Sequence, residues 1–240
     1  MAYNIDYGFS ISEEGSVKAG SQFGYYPGDT EASGKSGLTI GRGVDLSHFT
    51  AKELRKAGVS EKDIDQVSNY IAHYPKGSDK IQSGPKGSQL TVRNTPLDIL
   101  TRDQSGERTG FKIKWDAASV DNINKYMEKR FSESAKNTYE KLSGKKFEKL
   151  SRAQQTVLFD LTYNAGENFI KDVTTDLKQY IKDNDWDKIE RELLSKDWSS
   201  KDRARHIRRG NLLVNERITA DRQSMRPDET IIDTLGKIQP

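Results

Sequence analysis

The chain has 240 residues, a formal net charge of +3, 33% hydrophobic residues and 31% charged residues. This length fits one large domain or two lobes that share a cleft, and the composition predicts a modest core under a highly charged surface. The absence of cysteine excludes disulfides, thiolate-bound metals and a thiol nucleophile. No apolar run reaches membrane-spanning length, and so mild a charge does not by itself imply nucleic acid.

The first 50 residues are rich in glycine, which predicts short strands and turns. The run Thr50-Ala51-Lys52-Glu53 then has the form of a helix capping box, and Gly58 is placed to end that helix. A second helix is predicted to begin at Ser60 and to continue as far as Pro75, with its apolar face formed by Ile64, Val67 and Ile71.

Residues 75–114 are the least regular part of the chain, because glycine and proline interrupt every short apolar piece. Forty structureless residues would be unusual inside a compact domain. We therefore expect an extended insertion with some strand pairing or a position over a cleft, and a hairpin tip at Asp103 to Gly110.

From Trp115 onward the pattern is helical. One long apolar stripe ends near Gly144, and Ser151 caps the next helix, which is apolar on several sides and is predicted to be the central buried helix of a bundle, ending at Gly166. Further helices are predicted around Leu177, Tyr180 and Ile181, from about Asp185, and from about Asp202 to Met225. The predicted fold class is therefore α+β, with a small β-containing N-terminal lobe and a larger helical C-terminal lobe.

The residue types leave carboxylate chemistry as the main catalytic option. His48, His73 and His206 are scattered without metal-ligand spacing, which argues against a zinc site, and no nucleophile elbow, P-loop or dinucleotide fingerprint is present. A protonated carboxylic acid that faces an ionised carboxylate is typical of glycoside hydrolysis, which needs no metal or organic cofactor. Two glycine-flanked segments supply such groups, Ser12-Glu13-Glu14-Gly15 and Thr39-Ile40-Gly41-Arg42-Gly43-Val44-Asp45-Leu46, although the second could also be only a tight hairpin.

These two segments, Glu-Gly followed about 25 residues later by T-I-G-R-G-V-D-L, resemble the catalytic signature of the phage lysozyme superfamily. The branch of pesticin and related toxin or endolysin domains is the more similar one, because Asp45 follows Thr39 by six residues. Pieces of the helical half resemble the family in the same order, namely Ser151-Arg152-Ala153 to Tyr163-Asn164-Ala165-Gly166, Asp185-Trp186 to Lys196-Asp197-Trp198, and Asp202-Arg203-Ala204-Arg205.

The resemblance implies one lysozyme-like domain over residues 1–240 with a cleft between two lobes. Its N-terminal lobe covers about 1–75 and is followed by the insertion 75–114, the helical lobe about 115–226 and the tail 227–240. The resemblance does not cover the insertion or the tail.

The resemblance also assigns roles. Glu14 is implied as the general acid, Asp45 as the base that activates water for an inverting displacement, and Thr39 as the residue that orients the water or the base. Glu13 is the neighbouring rival of Glu14, and we interpret it as an exposed residue. Asp29 is the reserve for Asp45, since the T-even branch places its aspartate between the glutamate and the glycine turn.

Two residues of the helical half are implied as substrate-binding groups. Arg203 is expected to pair with Glu14, and Asn164 to contact acetamido or peptide groups. The segment from Lys201 to Arg226 carries eight basic and three acidic residues, a net +5, which suits either an anionic wall polymer or an ordinary solvated helix face.

The leading hypothesis is a muramidase that cleaves between N-acetylmuramic acid and N-acetylglucosamine. A silent wall-binding module, a chitinase-type hydrolase and a nucleic-acid binder are the alternatives. We expect a monomer that does not insert into membranes or bind nucleic acid. The start of the chain lacks signal-peptide features, so we expect synthesis in the cytoplasm and delivery to the periplasm by a holin or a secretion machine, in the latter case with an immunity protein as a partner.

Overall fold

The computed structural model describes residues 3–9, 22–24, 37–73, 80, 82–84, 113–165, 175–195, 198 and 200–224. Two short antiparallel strands, β1 (Thr39–Ile40) and β2 (Val44–Asp45), form a hairpin. The helices that follow are α1 (Ala51–Lys56), α2 (Glu61–Val67), α3 (Ala117–Ser143), α4 (Arg152–Ala165), α5 (Thr175–Asp183), α6 (Trp186–Leu194) and α7 (Ser200–Ser224). This combination of a small sheet and a larger helical part confirms the α+β class.

The chain divides into two compact units. One consists of Tyr7–Phe131, and the other of Met1–Asp6 together with Ser132–Pro240. The division falls inside α3, whereas the sequence predicted the start of the helical lobe near residue 115. That the two units form one lysozyme-like domain stays a prediction.

The core of the unit Tyr7–Phe131 joins the hairpin to the first helices. Burial of these side chains removes apolar surface from water, at about 25 cal/mol per Å², and so fixes the hairpin against α1, α2 and the first half of α3. The buried cluster consists of Leu38, Ile40, Val44, Leu46, Phe49, Leu54, Val59, Ile64, Val67, Ile71, Ile113, Trp115, Val120 and Ile123.

Helix starts in this unit follow the predicted caps. The Thr50 side chain accepts from the Glu53 amide while the Glu53 carboxylate accepts from the Thr50 amide, so the predicted capping box is present. Gly58, at φ 85°, follows the end of α1, and Ser60 caps α2. These three local predictions are confirmed.

The predicted extension of α2 to Pro75 is wrong, because the helix ends at Val67. The chain turns over residues 68–70, after which the Ala72 amide donates to the Phe49 carbonyl at 2.7 Å. Ile71 is still buried, as predicted, but it reaches the core from this extended segment. A long-range backbone pairing thus replaces the last turns of the predicted helix.

Most of the insertion, including Asp103 to Gly110, lies outside the described residues. Its described ends pair with the rest of the unit. Gln82 exchanges two backbone hydrogen bonds with His73, and Lys114 forms a bridge with Phe23. Some of the expected strand pairing is therefore present at both ends of the segment.

The other unit is helical and is organised around α4. Ser151 caps this helix by accepting from the Gln154 amide at 3.2 Å, and most of its length is buried, as predicted. The first residues of the chain pack here as well, since the Asn4 amide donates to Gln155 and the Asp6 amide to Thr156. The buried apolar residues of this helical unit include Tyr139, Phe147, Val157, Leu158, Phe159, Leu161, Leu177, Ile181, Ile189 and Leu193.

The remaining helix ends agree closely with the sequence. Helix α3 is followed by Gly144 at φ 67°, Asp185 caps α6, and α7 begins two residues before the predicted Asp202. Gly166 and Met225 lie outside the described residues. None of the described helices combines the length and apolarity needed to cross a bilayer.

Candidate active site

The β1–β2 hairpin places Thr39 directly opposite Asp45 in its antiparallel register. Gly41 and Gly43 form the tip with φ angles of 61° and 85°, a region that residues with a Cβ rarely adopt. A Cβ at Gly41 would also lie 2.7 Å from Asn124 Oδ1 on α3. The glycine pattern therefore makes a tight turn that is pressed against a helix.

Arg42 ties the hairpin tip to α3 by two contacts. Its amide donates to Asn124 Oδ1 at 3.1 Å, and its guanidinium donates to Glu128, one turn further along the helix. Partial burial raises the pKa of the Glu128 carboxyl, against the lowering effect of Arg42. Nothing in the sequence distinguished Asn124 or Glu128 from the other polar residues beside the apolar stripe of α3.

Thr39 is almost fully buried, with 2% of its surface exposed. Its hydroxyl donates to the Gly37 carbonyl at 3.1 Å. Because the hydroxyl proton is engaged there, the oxygen presents its lone pairs as acceptors. The side chain is thereby held in one orientation next to β2.

Asp45 is held by three donors from nearby backbone and side-chain groups. Its Oδ1 accepts from the Ser47 amide at 2.9 Å and from the Ser47 hydroxyl at 2.5 Å. Its Oδ2 accepts from the Gly37 amide at 3.0 Å and lies 3.6 Å from His48 Nε2. The side chain is 23% exposed, so the carboxylate is fixed but within reach of solvent.

The same carboxylate has a structural role, because Asp45 caps a short 3-10 turn that spans Leu46–His48. Aspartate is a preferred capping residue since its oxygen accepts from orphan amides of the turn. Capping and catalysis are therefore both compatible with this geometry, and the roles assigned by resemblance stay predictions.

The predicted acid Glu14, its rival Glu13 and Asp29, the reserve for the base, lie outside the described residues. The structure brings together Thr39 and Asp45, two of the three predicted catalytic residues. Asn164 lies in the last turn of α4, and its side chain is outside the described part. Arg203 is an exposed residue of α7.

The basic segment of α7 is partly neutralised by other helices. Arg205 and Arg209 both bind the carboxylate of Asp160, which is fully buried in α4, and Arg217 binds Glu190 of α6. These arginines connect helices, so the net +5 charge of the segment from Lys201 to Arg226 is not all available to an anionic ligand. Asp160 was missed, although it is the only acidic residue within α4.

Among the described residues, no group of three or more metal-binding side chains is placed to hold a metal ion. The described part of the candidate site consists of the hairpin, its carboxylate and the neighbouring hydroxyls. This set supplies one carboxylate acceptor, Asp45, which O–H and N–H donors hold in place. Such an arrangement suits proton abstraction from water.

Comparison with protein families gives one match within the chain. Residues 4–105 match the family described as "Pesticin: Bacterial toxin homologue of phage lysozyme, C-term". A search of curated proteins finds no match. The matched region contains Glu14, Thr39 and Asp45 and ends before the long helices. This match confirms the resemblance to the phage lysozyme superfamily and supports, at the level of the family, a lysozyme-like peptidoglycan hydrolase.

Proposed function

We propose that the protein is a muramidase that hydrolyses the β-1,4 bond between N-acetylmuramic acid and N-acetylglucosamine with inversion. The main support is the pairing of Thr39 with Asp45 on a fixed hairpin, within a segment that matches a homologue of phage lysozyme. Inverting glycosidases use one carboxylic acid and one carboxylate, about 6.5–9.5 Å apart, so that a water molecule fits beside the sugar.

Asp45 acts as the base in this proposal. A carboxylate oxygen has two lone pairs, so Oδ2 can accept from a water molecule in addition to the Gly37 amide. The Ser47 donors keep the other oxygen in place. The carboxylate then takes a proton as the water attacks the anomeric carbon.

Thr39 orients that water. Its hydroxyl proton is directed to the Gly37 carbonyl, so the oxygen can accept a hydrogen bond from the attacking water on the same side as Asp45. Holding a nucleophile in an attacking geometry contributes substantially to rate, since it removes the entropy of bringing the reactants together.

Glu14 acts as the general acid that protonates the leaving oxygen. Partial burial would raise its pKa towards the working pH, as this role requires. Asn164 and Arg203 contribute substrate contacts in the same proposal. The substrate lies outside the cytoplasmic membrane, so the proposal includes delivery to the periplasm through a holin or a secretion machine, with an immunity protein as partner in the second case.

Mass spectrometry of digested sacculi tests the reaction. The wild type should release muropeptides that end in reducing N-acetylmuramic acid. Glu14→Gln should lower their release at least about a hundredfold, because the general acid is lost, and Glu13→Gln is the matched control that should retain activity. Likewise, Asp45→Asn should lose activity and Asp29→Asn should not.

Other products would contradict the proposal. A reducing N-acetylglucosamine end would indicate a glucosaminidase, anhydro products a lytic transglycosylase, and cleavage of chitin oligomers in preference to muropeptides a chitinase. Wall pelleting without any soluble product would indicate a binding module. Inactivation by Glu13→Gln or Asp29→Asn, rather than by its neighbour, would reassign the acid or the base.

A further inference from the structure

Ser47 is a buried polar residue that the assigned roles leave without a function. None of its surface is exposed, and it lies two residues after Asp45 in the 3-10 turn. Its amide and its hydroxyl both donate to Asp45 Oδ1, at 2.9 and 2.5 Å. Hydrogen bonds to an ionised acceptor are shorter and stronger than neutral ones, so Ser47 fixes both the position and the charge of this carboxylate.

Ser47 is itself held by the insertion. The Gly84 amide donates to the Ser47 carbonyl at 2.9 Å. A Cβ at Gly84 would lie 2.0 Å from the Tyr70 carbonyl oxygen, so no larger residue fits this approach without a shift of backbone. The first described part of the insertion is therefore packed against the turn that carries Asp45.

Gly37 also approaches this turn closely. A Cβ at Gly37 would lie 2.3 Å from Ser47 Cβ and 2.6 Å from Asp45 Oδ1, and the Gly37 amide donates to Asp45 Oδ2. Gly37 thus lies directly against the side chains of Asp45 and Ser47, while Gly84 holds the Ser47 backbone by its amide. Such tight packing leaves the carboxylate little freedom to rotate.

We infer that Ser47 is a positioning residue for the base Asp45, and that Gly84 extends this support into the insertion. The inference rests on the proposed function for its catalytic consequence, but its structural part concerns only the protonation and orientation of Asp45. Ser47 does not contact substrate in this account. It keeps Asp45 ionised and directs Oδ2 to the water.

The test compares Ser47→Ala with Ser83→Ala, a matched control on an exposed serine next to Gly84. Carbon-13 NMR follows the titration of the Asp45 carboxyl, assigned with Asp45→Asn. Loss of the hydroxyl donor should raise the titration midpoint by about half to one pH unit, because that donor favours the ionised form. Ser47→Cys, which keeps a weaker donor, should give an intermediate midpoint.

Kinetics on soluble, uncleaved peptidoglycan glycan oligomers provide the second measurement. Ser47→Ala should lower kcat at least about tenfold with KM nearly unchanged, since a displaced base affects the chemical step more than binding. The acidic limb of the pH–rate profile should move to higher pH by the same amount as the NMR midpoint. Gly84→Ala should move the acidic limb of the profile and the NMR midpoint in the same direction as Ser47→Ala.

A folded Ser47→Ala with a wild-type midpoint would overturn the inference, as would an equal shift in Ser83→Ala. A folded Gly84→Ala with a wild-type midpoint would remove Gly84 from it. If the wild type releases no muropeptides, the proposed muramidase activity fails, and the NMR midpoints still decide whether Ser47 controls Asp45.

Discussion

At the scale of single residues, the hairpin register determines which side chains meet. Thr39 and Asp45 are cross-strand partners, and the hydroxyl and the carboxylate are each hydrogen-bonded to Gly37. One backbone unit therefore aligns both groups. Loss of the Thr39 hydrogen bond should therefore also disturb the Asp45 hydrogen bond, and the reverse, because both are made to Gly37.

Thr39→Val tests the contribution of the hydroxyl. Valine keeps the shape of threonine but leaves the Gly37 carbonyl without this donor, which should cost about 1 kcal/mol of unfolding free energy. We expect wall hydrolysis to fall at least about tenfold. Thr39→Ser keeps the hydroxyl and should retain most of the activity at a similar loss of stability. Equal activity of the Val and Ser variants in a turbidity assay would show that the hydroxyl has no part in catalysis.

The sequence could predict that Thr39 and Asp45 lie at the two ends of one short strand-turn, because their spacing is local and glycines lie between them. Their catalytic roles came only from the family resemblance and stay predictions. The sequence did not locate Ser47, whose importance depends on its hydrogen bonds to Asp45, on the close approach of Gly37 and on the Gly84 amide that donates to its carbonyl. In the sequence, Ser47 is one polar residue among many. Only three-dimensional contacts distinguish it.

At the scale of elements, helix starts were predictable and one helix end was not. A capping box depends on residues three positions apart, so Thr50 and Glu53 were readable directly. The end of α2 depends instead on the pairing of Ala72 with Phe49 and Thr50, which are more than 20 residues away in sequence. The apolar period of the sequence continues past Val67, the observed end of α2, because Ile71 is buried whether it belongs to a helix or to the segment that follows.

The hairpin tip and the end of α3 offer a matched pair of glycines. Gly41→Ala places a Cβ both at a positive φ and 2.7 Å from Asn124 Oδ1, whereas at Gly144 nothing lies within 4 Å. We expect Gly144→Ala to cost about 1 kcal/mol from backbone strain, and Gly41→Ala about 1–2 kcal/mol more. Urea unfolding measures both. Equal losses would mean that the tip does not press on α3.

The contact of the hairpin with α3 also predicts a dependence of stability on pH. Burial raises the pKa of Glu128 above its ordinary value of 4.5 despite Arg42, so the native state holds this proton more tightly than the unfolded chain. The contribution of Glu128 is then most favourable at low pH and is lost as the pH rises through its native pKa. Relative to Glu128→Gln, the wild type should lose unfolding free energy as the pH rises from below 4.5 through the raised native pKa of Glu128. If urea titrations show the opposite trend, the effect of Arg42, which lowers the pKa of Glu128, is larger than the effect of burial.

At the scale of the whole molecule, charge is distributed between surface and interior in a way that composition does not reveal. Arg209 is 2% exposed and binds Asp160 at 2.7 Å, while its Nη1 lies 3.1 Å from His206 Nδ1. His206 in turn stacks on Trp198. What the sequence suggested as a basic surface is, in part, an internal connection between α4 and α7.

Asp160→Asn should therefore destabilise the protein by about 3–5 kcal/mol, because it leaves a buried arginine without its counter-charge. The control is Arg55→Gln, which breaks an ion pair with Glu61 whose two side chains are 53% and 61% exposed and should cost far less, because exposed ion pairs add little stability. Urea unfolding monitored by circular dichroism distinguishes the two losses. Similar losses in the two variants would contradict the buried role of Asp160.

Residues 3–6 bind to partners that are synthesised much later. Residues 3–6 contact Phe147, Gln155 and Thr156, and the Asn4–Gln155 hydrogen bond spans 151 positions. At about 5–20 residues per second, a ribosome needs about 8–30 s to make that intervening stretch. The unit Tyr7–Phe131 is continuous in sequence and can fold during this interval. The N-terminal segment must wait, so completion of the helical unit is the later event in biosynthesis.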